Sequence, residues 1–464
     1  MRYAFAMLLR SLCTLNDGAK NSLEEIQDLM ERRNRETAVK IEPVPFSRLD
    51  NWIMDGDGNL KHSSGKFFSV EGIEVETNYG ALHHWTQPII KQPEIGYLGI
   101  IAKNFNGVLH FLMQMKIEPG NINHVQVSPT LQATKSNFRQ VHRGRKPFYL
   151  NYFENADPGE IIVDQLQSEH GSRFLRKRNR NIVIMVDGDV EVYEDFCWMT
   201  AGQIKSLMRH DNKVNMPARS VFSLLNFGRP AQPFDDTRAL SGFGKALLLS
   251  ARTNHSVYSM DNILSWLTGL KARCDLAVRP CPVNKMPEWR VTENEIVHKD
   301  YKFFKILGIN VSIANREVTS WRQPVIKPVQ NYVCAFIIKE IHGVPHFLVQ
   351  AKLECGNYDA LELAPAVQCL VDSGGLPDGH VPFLDYVRAA RTDRILYDTL
   401  QSEEGGRFYH DQNRYMLIMA DENFPLELPE GYTWISLNQV YTFLRFNNFV
   451  NVQARSLVAA LPYL

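Results

Sequence analysis

Apolar and polar residues alternate along 108–118 of this 464-residue chain. Phe111, Met113, Met115 and Ile117 fall on one face, and His110, Leu112, Gln114, Lys116 and Glu118 on the other. A period of two marks a strand, because successive side chains leave it on opposite sides. The unbroken apolar run 182–186 predicts a buried strand. Helical spacing governs other segments. In 22–35, Ser22 followed by Glu25 forms a capping box ahead of the stripe Leu23, Ile26, Leu29, Met30. A short helix is predicted over 161–169 with Gly171 as its C-terminal cap. A second helix is predicted over 201–209, and a third begins near Ala218. Strands and helices are intermixed, which places the chain in the α/β or α+β class.

These patterns come twice. Trp85-Thr86-Gln87-Pro88 returns as Trp321-Arg322-Gln323-Pro324, and His110-Phe111-Leu112 returns as His346-Phe347-Leu348. Gln114, Lys116, Glu118, Gly120 and Asn121 return as Gln350, Lys352, Glu354, Gly356 and Asn357. Leu166-Gln167-Ser168-Glu169 and Arg173-Phe174 return as Leu400-Gln401-Ser402-Glu403 and Arg407-Phe408. Asn215, Arg219 and Ser220 match Asn451, Arg455 and Ser456. Correspondence of this length and order means domain duplication. The expected division is 1–60 as an N-terminal helical extension, 61–230 as a first domain ending at Pro230, 231–285 as a linker carrying Pro233, Pro280 and Pro282, and 286–464 as a second domain. The mixed face of the 108–118 strand is identical in its 344–354 counterpart at all five positions, while the apolar face changes residue size. A merely solvated face needs polarity and not identity, so this face is expected to line a pocket in both copies, with structural hydrogen bonding as the alternative.

Composition narrows the possibilities. Lysines and arginines number 51, as do aspartates and glutamates, so no net charge draws the chain to nucleic acid or anionic membrane. The basic run Arg176–Arg180 is not repeated in the second copy and lacks interleaved aromatic residues for stacking bases. No apolar run is long enough to cross a bilayer, and no signal peptide is read at the start. Seven cysteines without a CxxC pair suggest neither a disulfide framework nor a zinc site. The expectation is a cytoplasmic protein that binds neither nucleic acid nor membrane.

Two motifs resemble the Nudix hydrolases. One is Lys116-Ile117-Glu118-Pro119-Gly120 at the strand end; the other is 164–171, where Leu166, Glu169 and Gly171 fit the family's helix signature and Asp164, Gln165 and Ser168 depart. In the second copy Leu400, Glu403 and Gly405 fit, while Asp398, Thr399 and Ser402 depart. A magnesium site needs several oxygen ligands, and one acidic residue per helix does not supply them. A longer resemblance runs through Ser128–Thr134, Gln167–Phe174, Arg176–Asn181 and Gln401–His410. In these motifs the chain resembles the NDP-hexose 2,3-dehydratases of deoxysugar biosynthesis. The resemblance implies two tandem Nudix-like domains of α+β, α/β/α sandwich-like build. It also implies a homodimer, a substrate such as dTDP-4-keto-6-deoxy-D-glucose, and no cofactor or metal. The same resemblance implies that only one of the two pockets need be catalytic.

The implied reaction removes the proton on carbon 3, acidified by the 4-ketone, and expels the carbon-2 hydroxyl. It needs a base, a donor for the enolate oxygen and a general acid. Glu169 or Glu403 is the expected base. Lys116 or Lys352 is the expected enolate donor, and Tyr409 and His410, absent from the first copy, are acid–base candidates. His170 stands where the second copy has Glu404. Arg173 and Arg407 suit a diphosphate through their planar forks. Arg219, Arg455, Asn179, Asn413, Ser168 and Ser402 are further binding candidates, and Trp85 and Trp321 can stack on the base or sugar. Hydrolysis of a sugar nucleotide, or its binding without turnover, remain the alternatives.

Overall fold

The computed structural model describes residues 2–135, 146–228, 239–314, 318–371 and 381–464. Each half is built on a seven-stranded mixed sheet. Across the first run Ile161–Ser168, Arg178–Met185, Gly96–Phe105, Val108–Ile117 and Phe196–Thr200, with Val125–Ser128 and Leu131–Ala133 branching from the centre. Arg178–Met185 lies parallel to Gly96–Phe105, and the other pairings are antiparallel. The second sheet repeats this with Ile395–Ser402, Gln412–Met419, Tyr332–Ile341, Val344–Leu353 and Tyr432–Ser436.

Helices cover both faces of the sheet. Met216–Phe222 brings Phe222 against Phe111, ring centroids 5.1 Å apart, in a core shared with Ile100 and Val183. On the opposite face Phe153 of Leu150–Glu154 packs with Ile101, Leu112, Ile182 and Ile184. Double coverage explains why the alternation along Val108–Ile117 does not separate core from solvent. His110 and Leu112 are as completely buried as Phe111. His110 is a latch: its Nε2 accepts the Lys20 N–H at 2.9 Å, which puts the ring proton on Nδ1 facing the Val108 carbonyl. His346 holds Val257 and Val344 in the same way.

Segment 161–169 is not a helix. Residues Ile161–Ser168 form a strand paired in register with Arg178–Met185. Helical and strand patterns are hard to separate in so short a run, and the β-branched triplet Ile161-Ile162-Val163 favours the extended form. The residues that fitted the Nudix helix signature therefore lie on a strand and the turn after it. Gly171 caps nothing; a β-carbon there would sit 2.0 Å from Asn357 Oδ1 of the other half.

The repeat reaches further than identity indicated. Helices Arg2–Cys13 and Leu23–Glu36 are answered by Gly242–Arg252 and Met260–Arg273, and strand Val39–Val44 by Leu276–Pro280. The capping box of Ser22 and Glu25 is present as expected. Residues 1–60 thus include strands as well as helices, and the described part of 231–285 holds two α-helices, a strand and the short 3-10 helix Val283–Lys285; Pro230 and Pro233 lie outside the described residues. An amphipathic helix needs only an apolar stripe, so these elements kept their form without keeping their residues. The halves also exchange edge strands. Val39–Val44 pairs with Phe304–Ile313 of the second half, and Leu276–Pro280 with Ser69–Thr77 of the first. Trp52 Nε1 donates to the Arg322 carbonyl at 3.0 Å, and Trp289 Nε1 to that of Thr86 at 2.8 Å. The exchange covers edges that would otherwise be open to other chains.

Candidate active site

The motif that follows the Ile161–Ser168 and Ile395–Ser402 strands crosses between the halves. The Gly120 N–H donates to the Gly405 carbonyl and the Gly356 N–H to the Gly171 carbonyl, both at 2.7 Å. Two composite cradles result. The first combines Lys116, Glu118 and Gln132 of the first half with Glu404, Gly406 and Arg407 of the second. The second combines Lys352, Glu354 and Gln368 with His170, Ser172 and Arg173. Strand and loop of one motif thus serve different cradles.

Each cradle is braced in the same way. Glu118 Oε1 accepts from Gln132 Nε2 at 2.9 Å, and Glu354 Oε1 from Gln368 Nε2 at 3.2 Å; both Oε2 atoms are buried without a partner. Asn215 and Asn451, which cap the helices beginning at Met216 and Val452, fix those glutamines from behind at 3.2 and 2.7 Å. Lys116 Nζ reaches the Gln132 carbonyl at 3.3 Å. The Arg407 guanidinium lies 4.1 Å over the Phe68 ring and Arg173 lies 4.1 Å over Phe304, stacking that fixes a planar cation.

The tryptophans support this arrangement at one remove. Trp321 Nε1 donates to Gln323 Oε1 at 3.0 Å, which turns Gln323 Nε2 onto the Gly406 carbonyl at 2.8 Å, next to Arg407. Trp85, Gln87 and the Ser172 carbonyl repeat the chain at 2.9 Å for each bond. The Trp-x-Gln-Pro motif therefore orients the arginine loops. Gln87 and Gln323 were missed as site residues, although their spacing from the tryptophans was in view.

Other candidates are placed elsewhere. Arg219 and Arg455 are fully buried at the junction of the halves. Arg219 donates to the Val214 and Ser402 carbonyls at 2.6 and 2.7 Å and to Gln401 Oε1 at 3.1 Å; Arg455 mirrors it with the Val450 and Ser168 carbonyls. Their donors are spent inside the protein, which removes them from the diphosphate. Ser168 and Ser402 also bridge the junction, to Glu362 at 2.8 Å and Gln126 at 2.9 Å. Asn179 and Asn413 position Glu169 and Glu403, at 2.6 and 2.8 Å to Oε1. Tyr409 and His410 stack on each other, centroids 4.1 Å apart, and His410 is exposed.

Burial sets the electrostatics. It pushes the carboxyls of Glu169, Glu403 and Glu354 above the usual range, and the buried Oε2 of each has no partner. Glu404 is raised to about 7 by burial, against the lowering pull of Arg407 and with Glu118 and Glu169 adding to the rise. His170, in the matching place, is pushed down to about 3 by burial and then by Arg173. Lys177, lowered by burial, stands near Glu169 and Glu404, and its counterpart Asp411 is raised to about 7. No group of three or more metal-ligating side chains occurs among the described residues.

Residues 23–225 and 260–461 match the NDP-hexose 2,3-dehydratase family. The chain belongs to that family. Each matched span takes in one structural repeat from its second helix onward, Leu23–Glu36 in the first and Met260–Arg273 in the second. A dTDP-4-dehydro-6-deoxy-alpha-D-glucopyranose 2,3-dehydratase of Saccharopolyspora spinosa is 44% identical over 92% of this chain and 88% of its own. Dehydratases of the same description from Amycolatopsis orientalis and Streptomyces violaceoruber are 41% and 43% identical, over 99% and 91% of this chain and 94% and 93% of theirs. Among solved structures, an ADP compounds hydrolase aligns with 33% of this chain and 82% of its own at 16% identity and a TM-score of 0.21, too slight a likeness to carry an argument. Among the described residues no helix is long and apolar enough to cross a membrane.

Proposed function

We propose that this member of the NDP-hexose 2,3-dehydratases takes dTDP-4-dehydro-6-deoxy-glucose into a composite cradle and removes water across carbons 2 and 3. The observation that carries the reading is the cradle itself: a stacked arginine with buried carboxyls of raised pKa close by, assembled from both halves. The arginine fork suits the diphosphate. A carboxylate takes the carbon-3 proton, and the electron pair of that C–H bond moves onto the carbon-4 oxygen, beside which a lysine ammonium such as that of Lys116 lowers the cost of the charge. Collapse of the enolate breaks the carbon-2 C–O bond, and the hydroxide takes a proton to leave as water. The enol left at carbon 3 becomes a ketone. Protons and electrons balance with no redox partner. Glu169 and Glu403 act as positioning carboxylates behind the cradles, and Tyr409 and His410 lie at the rim. A Nudix-like α/β/α layering of each half, a homodimer, a cytoplasmic location and service in an antibiotic deoxysugar pathway belong to the same reading and rest on the resemblance. The purified protein, given the 4-keto sugar nucleotide, is expected to yield a product lighter by one water in mass spectrometry. Release of dTMP with no dehydrated sugar nucleotide would overturn the reading.

A further inference from the structure

In each half a chain of side-chain amides runs from the start of a helix to a glutamate. Asn215 and Asn451 are buried, and their Oδ1 atoms accept the backbone N–H groups of Ala218 and Ala454 at 2.9 Å, in the first turns of the helices Met216–Phe222 and Val452–Ala459. Their own backbone N–H groups donate to the Val127 and Leu363 carbonyls at 2.9 and 3.0 Å, which pins each asparagine to the strand Val125–Ser128 or Leu361–Pro365.

An amide side chain has one end that only accepts and one that only donates. With Oδ1 committed to the helix, Nδ2 is left to donate elsewhere. Asn215 Nδ2 meets Gln132 Oε1 at 3.2 Å, and Asn451 Nδ2 meets Gln368 Oε1 at 2.7 Å. Each glutamine is thereby fixed in one of its two orientations, and its Nε2 donates to Glu118 or Glu354 Oε1 at 2.9 and 3.2 Å. In the first half the Ser128 hydroxyl gives Gln132 Oε1 a second bond at 3.0 Å, while it accepts from Asn215 at 3.1 Å. Ala364 stands there in the repeat, as the pairings Gln114–Ser128 and Gln350–Ala364 establish. The polarity of the helix start thus reaches the glutamate in two hand-offs. One carboxyl oxygen accepts, and the other, Oε2, is buried without a partner in both residues. A hydrogen bond given to the charged form of a carboxyl favours that form. In Glu354, where burial pushes the carboxyl up, the Gln368 bond pulls the opposite way.

We propose that Asn215 and Asn451 are positioning residues for proton abstraction: through Gln132 and Gln368 they hold Glu118 and Glu354 as carboxylates, the form that takes a proton from sugar carbon 3. This rests on the dehydratase reading above and adds to it what sets the direction of proton transfer. The C–H bond breaks with its electron pair moving toward the carbon-4 oxygen, and an O–H bond forms on the glutamate. That proton passes to the departing hydroxide, which leaves as water, and the carboxylate is restored. Both asparagines act through the glutamine beside them.

The test uses four full-length variants. Asn215→Asp and Asn451→Asp keep an oxygen for the helix N–H but put an acceptor where the donor was, so the glutamine amide has to turn and offer its oxygen to the glutamate. Asn215→Ser and Asn451→Ser keep the cap and only delete the donor. Steady-state kinetics is expected to show, in at least one half, kcat lowered at least about tenfold by aspartate and less by serine. KM for the 4-keto sugar nucleotide should stay within about threefold, with the melting temperature near wild type. An asparagine that serves only as a cap predicts wild-type kinetics in all four. Full kcat in both aspartate variants, or a loss carried by KM alone, would overturn the assignment. Should an aspartate variant melt far below wild type, its serine counterpart decides: a lowered kcat at unchanged KM supports the proposal, and wild-type kcat in both serine variants overturns it. A wild-type protein that dehydrates nothing refutes the dehydratase reading, and the positioning role with it, whereas unaltered variants of an active enzyme refute the positioning role alone.

Discussion

Arg219→Met separates a structural arginine from a ligand-binding one. The side chain is fully buried, and its guanidinium serves two backbone carbonyls, the Gln401 side chain and the Ser456 hydroxyl, three of the four across the junction between halves. Methionine fills similar volume without donors. Each buried acceptor left bare costs about 1–3 kcal/mol, and relief from burying a charge offsets part of this, leaving a net loss of about 3 kcal/mol. Unfolding entropy near 2 cal/mol/K per residue gives ~1 kcal/mol/K for 464 residues, so the melting temperature should fall by about 3 °C. Differential scanning calorimetry reads this directly, with dTDP titrated into the folded variant at 25 °C as the companion measurement. Melting within about 1 °C of wild type together with lost dTDP affinity would show that the guanidinium was available to phosphate, and the reasoning would be refuted.

Glu362→Gln copies into the second half what Gln126 does in the first. Glu362 is raised to about 7 from 4.5 by burial, so its stabilising protonated form is complete below about pH 4.5 and lost as the pH rises through about 7. The variant should melt above wild type at pH 8, by the equivalent of up to about 3 kcal/mol, and match it at pH 4.5; an offset independent of pH would contradict this. Gln323→Leu removes the strut beneath the Arg407 loop and should raise KM for the sugar nucleotide about tenfold with a smaller change in kcat, whereas an unchanged KM in steady-state kinetics would deny the strut its role. His110→Leu removes the acceptor for the Lys20 N–H and should lower the melting temperature without altering KM; a changed KM would return His110 to the cradle.

The duplication, the strand over 108–117 and the capped helix beginning after Ser22 were legible because each rests on a local rule: an ordered repeat of identities, a period of two, a side chain that reaches back to its own backbone. Local rules also made Lys116, Glu118, Arg173 and Arg407 stand out. They failed at 161–169, where a short apolar run satisfies either period and only pairing with the neighbouring strand settles it. They failed again at Arg219 and Arg455, since nothing near an arginine in sequence states whether its donors meet a ligand or a carbonyl more than 180 positions away. Residue types, repeat order and family membership were thus determined by the sequence alone. Tertiary structure decided that each motif is split between two cradles and that Glu404 comes close to Glu118 across the junction. The reason is physical: charge pairing and accessibility depend on distances through space, and the exchange of strands between halves gives those distances no fixed relation to position along the chain.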